Sequence, residues 1–558
     1  MANVSYLKTP ARGRTTGSSV GGRLQAPPTR RRGVWIVGGL LLAVVCVLAA
    51  AAVVVKSSKA SLTGDPSALA RIGMPIGGGT IEHVSVVRSR DQHPIPVKLR
   101  GDPVILPRAT VAAGTRYQIQ VVVRRPGYLS WLTGKTETLT RTVRTPASVL
   151  RSKYVTLGHG DTLRIHFAHP VRVIAYGAKG HLARHVLRHA RREVTLPHDG
   201  DAGTTYVSAQ VQRWETSSAQ PVSWFPAGTK ATAVSTPKPG GQIKSSTPIT
   251  LTFSKPVAQA LGSHLPTVTP AAAGSWHRLS SHTISFRPSG YGYGLDQKVS
   301  IALPSGVRLA GGTETGSASD GTWTVPAGST LRLQQMLADL GYLPLTFHYS
   351  GSGPGTTIAD QEAAAVTPPK GRFGWRWSST PAALESQWQA GSDGTMTKGA
   401  VMTFEDQHDM TTDGVAGPAV WKALITAMLH HQMNSTGYTF VQVSEGSPEN
   451  LQLWHDGETK LSGIPVNTGV AGAETATGTY PVFEHLPVTT MIGTNVDGSH
   501  YDDPGIKWVS YFNGGDALHY YPRGSYGYPQ SNGCVEMDLP DAAAVYPYTP
   551  IGTLVDVE

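Results

Sequence analysis

Two residues near the C-terminus have the types and the spacing for nucleophilic catalysis. Cys534 follows His519 by fifteen positions in the run Gly515-Asp-Ala-Leu-His-Tyr-Tyr-Pro-Arg-Gly-Ser-Tyr-Gly-Tyr-Pro-Gln-Ser-Asn-Gly-Cys-Val-Glu-Met. A thiol attacks a carbonyl as its thiolate, and free Cys has a pKa of ~8.5, so an imidazole that takes the proton multiplies the reactive fraction. The connection is rich in Gly, Pro and Tyr and long enough to return Cys534 beside His519. Gly533 allows backbone N–H groups to approach a developing oxyanion. Taken singly, His519 reads as a half-buried histidine and Ser531-Asn532-Gly533 as a turn. Taken together with Cys534, they read as a Cys/His acyl-transfer site.

Cysteine usage sharpens this. The chain has two cysteines, Cys46 in an apolar run near the N-terminus and Cys534, so no disulfide staples the region between them. A free Cys is commonly a small buried hydrophobe. An unpaired thiol in an oxidising compartment is a liability, and its neighbours here favour chemistry.

The elements that must position the pair are short strands. Tyr438-Thr-Phe-Val-Gln-Val and Leu451-Gln-Leu-Trp alternate with period two and open a β-rich unit over 436–558. The length of 558 residues exceeds what one core organises, so several domains in series are expected. Gly (63) and Pro (40) are abundant and charged residues make up 15%, which suits strands and turns, so the chain reads as multidomain and mainly β.

Residues 1–32 carry Lys8, Arg12, Arg14, Arg23, Arg30, Arg31 and Arg32 and no acid, a disordered basic tail. Gly33 to Val55 is 23 residues without a charge, a length that spans a bilayer as a helix at ~1.5 Å per residue. The basic excess before it places the N-terminus in the cytoplasm and the rest outside, with one helix in the cytoplasmic membrane. A signal peptide cleaved near Ala49 to Ala52 is the competing reading. Removing the tail's seven positive charges from the formal +11 leaves +4, and no basic stripe interleaves with aromatics, so nucleic acid is not an expected partner.

Residues 56–105 mix Gly, Pro and charge without period and read as linker and the start of the ectodomain. Tyr117, Ile119, Val121 and Val123 alternate onto one face, and similar runs to residue 235 predict a β-sandwich over 106–235. A second sandwich is expected over 236–328, with Ile249, Leu251 and Phe253 on one face. Its Ile249-Thr-Leu-Thr-Phe-Ser-Lys-Pro-Val resembles a strand of bacterial immunoglobulin-like wall modules, and both sandwiches are expected to act as spacers. His181, His185 and His189 would stack along one face if helical, but Arg184, Arg188, Arg191 and Arg192 crowd them and favour a solvated basic surface over a zinc site.

From residue 329 the period turns helical. Leu333, Met336, Leu337 and Leu340 follow a cap at Ser329 or Thr330 and stop at Gly341. Further helices hold Ala400, Val401 and Phe404, then Trp421 and Leu424 after Gly417-Pro418, giving a small three-helix domain over 329–428. Leu333-Gln-Gln-Met-Leu-Ala-Asp-Leu-Gly-Tyr, Ala400-Val-Met-Thr-Phe-Glu-Asp-Gln and Thr412-Asp-Gly-Val-Ala-Gly-Pro-Ala-Val-Trp resemble the common peptidoglycan-binding domain, interrupted by a long insertion at 355–393 with Trp375, Trp377 and Trp388.

The C-terminal motif resembles the L,D-transpeptidase catalytic domain, marked by a His, a spacer and Ser/Thr-His-Gly-Cys. Glu474-Thr-Ala-Thr-Gly-Thr-Tyr-Pro is similar to an upstream segment of the same family. The resemblance implies Cys534 as nucleophile, His519 as general base, the Tyr520 backbone carbonyl as its orienting group, and Gly533 and Cys534 N–H groups as the oxyanion hole. Ser531, Asn532, Tyr521 and Tyr526 are the expected substrate-contacting residues, and Tyr511, Phe512 and Tyr528 crowd the same region. Neither metal nor cofactor is implied; the partners would be peptidoglycan stem peptides and glycan. Two positions depart from the family pattern: Asn532 replaces a second His, and Glu536 stands where Arg or Asn is usual. The activity implied is 3→3 cross-linking through a Cys acyl-enzyme on a tetrapeptide stem. The alternatives are an L,D-carboxypeptidase, or a non-catalytic wall-binding protein with a degenerate catalytic domain.

Overall fold

The structure, a computed structural model, describes residues 43–49, 52–53, 56, 59–76, 78–101, 103–127, 130, 134–315 and 318–558. The basic tail and most of the expected membrane helix at 33–55 lie outside these residues. Among the described residues no helix is long and apolar enough to cross a membrane.

Two compact units form. The first comprises the chain up to Ser148 together with Val171–Val173 and Gln210–Ser218. Its three-stranded antiparallel sheet is centred on Arg116–Arg124, flanked by Thr80–Arg88 and Thr136–Arg144. Tyr117, Ile119, Val121 and Val123 point to one side of that strand and are fully buried, as their alternation predicts. Residues 56–105, expected to be largely linker, instead contain the strands Ser61–Thr63, Ala70–Gly73, Thr80–Arg88 and Val97–Arg100. Their pattern is weak because several of them bury few side chains; in Val97–Arg100 none is fully buried.

The second unit holds the remainder. The expected sandwich at 106–235 is therefore divided between the two units, and its last strand, Ala231–Thr236, pairs antiparallel with Ile249–Phe253 of the following sheet. Ile249, Leu251 and Phe253 are fully buried on one face. The histidine triplet lies on the strand His181–Leu196 rather than on a helix. At ~3.3 Å per residue, imidazoles four positions apart on a strand stand about 13 Å from one another, too far to share an ion.

The helical region departs from the three-helix expectation. Helices α1 (Thr330–Asp339), α2 (Ile358–Val366), α3 (Ala382–Ser386), α4 (Thr395–Gln407) and α5 (Pro418–His430) are present. Ser329 caps α1 by accepting from Arg332 N–H, and Pro418 opens α5. The insertion supplies α2, α3 and the strand Gly371–Trp375, which pairs with Leu345–Tyr349. It also reaches the C-terminal region: Trp377 packs edge-on to Trp454 with centroids 5.3 Å apart, and the Ser379 hydroxyl donates to the Gly457 carbonyl at 2.5 Å. Helix α4 docks there too, with Gly399 so close to the backbone of Gly552 that a Cβ would stand 2.6 Å from its carbonyl oxygen.

The C-terminal region is built from strands β1 (Thr439–Ser444), β2 (Asn450–His455), β3 (Glu458–Pro465), β4 (Gly478–Pro481), β5 (Glu484–Thr494), β6 (His500–Asn513), β7 (Asp516–Tyr520), β8 (Val535–Met537) and β9 (Leu554–Val557), with α6 at Leu539–Val545. One sheet runs β3-β2-β1-β9-β4 and the other β5-β6-β7-β8. Val441, Val443, Leu451, Leu453 and Val555 from the first sheet and Leu518, Val535 and Met537 from the second close a common core. Each such side chain contributes roughly 1.5–3 kcal/mol on burial. That core is the rigid floor on which β7 and β8 carry His519 and lead in from Cys534.

Candidate active site

Strands β7 and β8 pair in parallel, with Leu518 opposite Val535, His519 opposite Glu536 and Tyr520 opposite Met537. Cys534 precedes β8 by one residue and Glu536 by two. Residues two apart on a strand share a face, so Cys534 stands on the same side as His519, one strand over and one step back. Ala517, two residues before His519 on β7, lies in the same small cluster as Cys534. The long spacer read from the sequence is thus the crossover that a parallel pair requires.

That crossover is pinned along its length. Gly527 N–H donates to Val466 O, Gln530 and Ser531 N–H both to Thr468 O, and Val470 N–H to Ser531 O, all at 2.9 Å. The buried Asn467 amide oxygen accepts a further bond from Gly527 N–H at 3.1 Å, and Glu449 holds Thr468 through both N–H (2.7 Å) and hydroxyl (2.8 Å). The segment that shapes the Cys loop is therefore held to the 466–470 stretch by backbone and buried polar bonds.

His519 is buried, and its Nδ1 lies 2.9 Å from the Tyr520 carbonyl. A carbonyl only accepts, so Nδ1 carries the proton and Nε2 is the nitrogen left to take one. Burial pulls the imidazole below the ordinary histidine range, with the Tyr520 carbonyl and the Glu536 carboxylate acting in the other direction. The resting base is neutral near pH 7.

Cys534 is half-buried, against the partly apolar surroundings of Tyr511, Tyr521 and Met491. Its Sγ donates to the Gly515 carbonyl at 3.6 Å. Burial pushes the thiol up to about 12; the Ala517 N–H works against this, and the Glu536 and Asp516 carboxylates add to it. Thiol and imidazole are thus both uncharged at rest, the arrangement of a nucleophile that surrenders its proton to a general base during attack.

Gly533 has φ of 109°, and a Cβ there would sit 2.5 Å from Asp516 Oδ1. No other residue fits this turn without displacing Asp516. Its N–H, expected in the oxyanion hole, donates to Ser531 Oγ at 3.2 Å. The Ser531 hydroxyl in turn donates to the Cys534 carbonyl at 2.6 Å, and Ser531 is buried. Ser531, expected to contact substrate, therefore braces the turn from within. Asn532 is exposed and donates to Asn495 Oδ1 at 2.7 Å, tying the loop to the β5–β6 turn. Tyr526 donates its hydroxyl to the Tyr521 carbonyl at 2.7 Å, and Tyr521 its own to Asp503 at 3.1 Å, so both phenols are engaged by the protein. Tyr511 lies beside Cys534 in a small apolar cluster, Phe512 is buried in the core and Tyr528 is exposed.

Glu536, the departure noted in the sequence, is buried and paired with Arg523 by two bonds of 2.7 Å, from Nε and Nη2. Sequence reasoning passed over Arg523, Asn495 and Asp516. The signal for Arg523 was Glu536 itself, since a carboxylate on an otherwise apolar strand requires a cation.

Comparison with known proteins places the site in context. An L,D-transpeptidase from Mycobacterium smegmatis overlaps 59% of this chain and 100% of its own at 12% identity and a TM-score of 0.20. The catalytic domain of an Enterococcus faecium L,D-transpeptidase overlaps 22% of this chain and 96% of its own at 22% identity and a TM-score of 0.20. Overlaps at these scores are too loose to carry an inference about chemistry. No curated protein matches the sequence. The family model that does match is the L,D-transpeptidase catalytic domain (YkuD), over residues 439–557, the region that carries His519 and Cys534.

Proposed function

We propose that the chain is a cell-wall L,D-transpeptidase in which Cys534 is the nucleophile and His519 the general base. The observation that supports this is His519 on β7 with Cys534 one residue before β8, the parallel neighbour of β7, and His519 Nδ1 committed to a carbonyl. The thiol proton passes to Nε2 as sulfur attacks the carbonyl of the third residue of a tetrapeptide stem. Collapse of the tetrahedral intermediate returns that proton to the departing D-Ala amine and leaves a thioester on Cys534. A side-chain amine of a neighbouring stem then attacks the thioester, giving a 3→3 cross-link and freeing the thiol. Gly533 would join the oxyanion hole only by releasing its bond to Ser531, an exchange that substrate binding would drive.

The helical domain at 329–428 is proposed to hold peptidoglycan, the strands before it to act as spacers, and the 33–55 run to anchor the chain in the cytoplasmic membrane with the catalytic region facing the wall. The test is incubation of the full chain in detergent with disaccharide-tetrapeptide. Equimolar D-Ala and 3→3 dimer support the reading; D-Ala without dimer assigns a carboxypeptidase; neither product, from folded protein, leaves the binding-protein alternative.

A further inference from the structure

Glu536 stands directly opposite His519 in the parallel ladder, on the same face. A carboxylate so placed is the natural partner of a protonated imidazole, and a base held as its imidazolium cannot take a proton from Cys534. In this chain the carboxylate is occupied elsewhere. Arg523 grips it through Nε and Nη2, each at 2.7 Å, while Nη2 also donates to the Gln530 carbonyl at 3.0 Å. The Arg523 guanidinium lies 4.6 Å from the centroid of the Tyr521 ring, which stands nearly perpendicular to the His519 ring at a centroid distance of 6.2 Å. The Tyr521 hydroxyl is in turn bonded to Asp503 at 3.1 Å.

The charged and titratable groups around the imidazole are therefore Glu536 from β8, Asp503 from β6, and Arg523 and Tyr521 from the crossover.

We propose that Arg523 is a positioning residue for the reaction: by closing a bidentate pair with Glu536, it withholds that carboxylate from His519 and keeps the imidazole available as a base. The inference rests on the functional reading above but goes beyond it, since it assigns a role to the crossover and explains how an anion is tolerated at position 536. Burial of the carboxylate fits this arrangement: Glu536 has 5% side-chain exposure, and Arg523, at 29%, is the cation that pairs with it.

The test is titration of the His519 ring by NMR in full-length, histidine-labelled protein, its signal assigned by loss in His519→Gln. Arg523→Gln leaves a lone carboxylate beside the ring and is expected to raise the midpoint by about one pH unit or more. Glu536→Gln leaves a lone guanidinium and is expected to lower it. The double variant is expected to return towards the parent value. A pair that serves stability alone would lower the melting temperature in the single variants without moving the midpoint in opposite directions, and that result overturns the proposal. Should Arg523→Gln fail to fold, the neutral isostere Glu536→Gln still decides, since an unchanged or raised midpoint there contradicts the assignment. Acylation by imipenem across the same pH range is followed in parallel. Absence of any adduct in the parent counts against the transpeptidase reading, whereas the ring titration continues to report on Arg523.

Discussion

Asn532 and Asn495 are joined by a 2.7 Å side-chain bond that ties the residue two before Cys534 to the turn between β5 and β6. Asn532 occupies the position of a second histidine in the family pattern, yet here it engages the hairpin rather than the base. Asn532→Ala is expected to free the turn, raising amide hydrogen exchange at 495–499 by a factor of about 2–10, the equivalent of one exposed hydrogen bond. Acylation of Cys534 should persist, because His519 is oriented by Tyr520 and not by Asn532. Unchanged exchange would show that the bond does not restrain the hairpin.

Gly533→Ala tests the turn itself. The new methyl would meet Asp516 Oδ1 at 2.5 Å, at a φ of 109° that side chains rarely adopt. A destabilisation of about 1–3 kcal/mol is expected, read as a lower melting temperature of the C-terminal region, together with loss of acylation. Full retention of both would mean that the loop can refold around Cys534 without consequence.

The protonation state of the site gives a third prediction. With the thiol pushed up to about 12 by burial, Cys534 should be alkylated by iodoacetamide at pH 8 at least about ten times more slowly in the native protein than after unfolding. Fast native alkylation would indicate a preformed thiolate. His519→Gln should lower the acylation rate by about 10²–10⁴ while leaving the fold intact.

Away from the site, Glu362 of α2 is bonded to Ser245, and burial raises its carboxyl to about 7. Its folded pKa lies above the ordinary 4.5, so its contribution to stability is complete below about 4.5 and is lost as pH rises through about 7. Glu362→Gln should flatten the fall in melting temperature between pH 4.5 and 8. An unchanged pH profile would exclude this group as its source.

What was legible in the sequence is the local chemistry. The Cys534/His519 pair and the special backbone at Gly533 follow from residue types within one short stretch, and the Tyr520 carbonyl partner from the resemblance to the L,D-transpeptidase catalytic domain. The faces of Tyr117–Val123 and Ile249–Phe253 followed from simple alternation. What escaped depends on distant contacts. Arg523 meets Glu536 only because β7 and β8 lie in parallel, and Asn495 meets Asn532 only because the hairpin folds back onto the loop. The strands within 56–105 were hidden because most of them span three or four residues and the longest, Thr80–Arg88, fully buries a single side chain, leaving little periodicity to detect. The insertion was read as a long interruption, yet Trp377 and Ser379 contact the C-terminal region, a relation that no local pattern encodes.

The most direct test is intact-mass analysis of the full chain mixed with disaccharide-tetrapeptide and quenched in acid after a short incubation, followed by peptide mapping. The account predicts a covalent adduct equal to the substrate less D-Ala, located on the peptide containing Cys534 and absent from Cys534→Ala. Turnover to D-Ala or dimer by folded Cys534→Ala at the parent rate would contradict it.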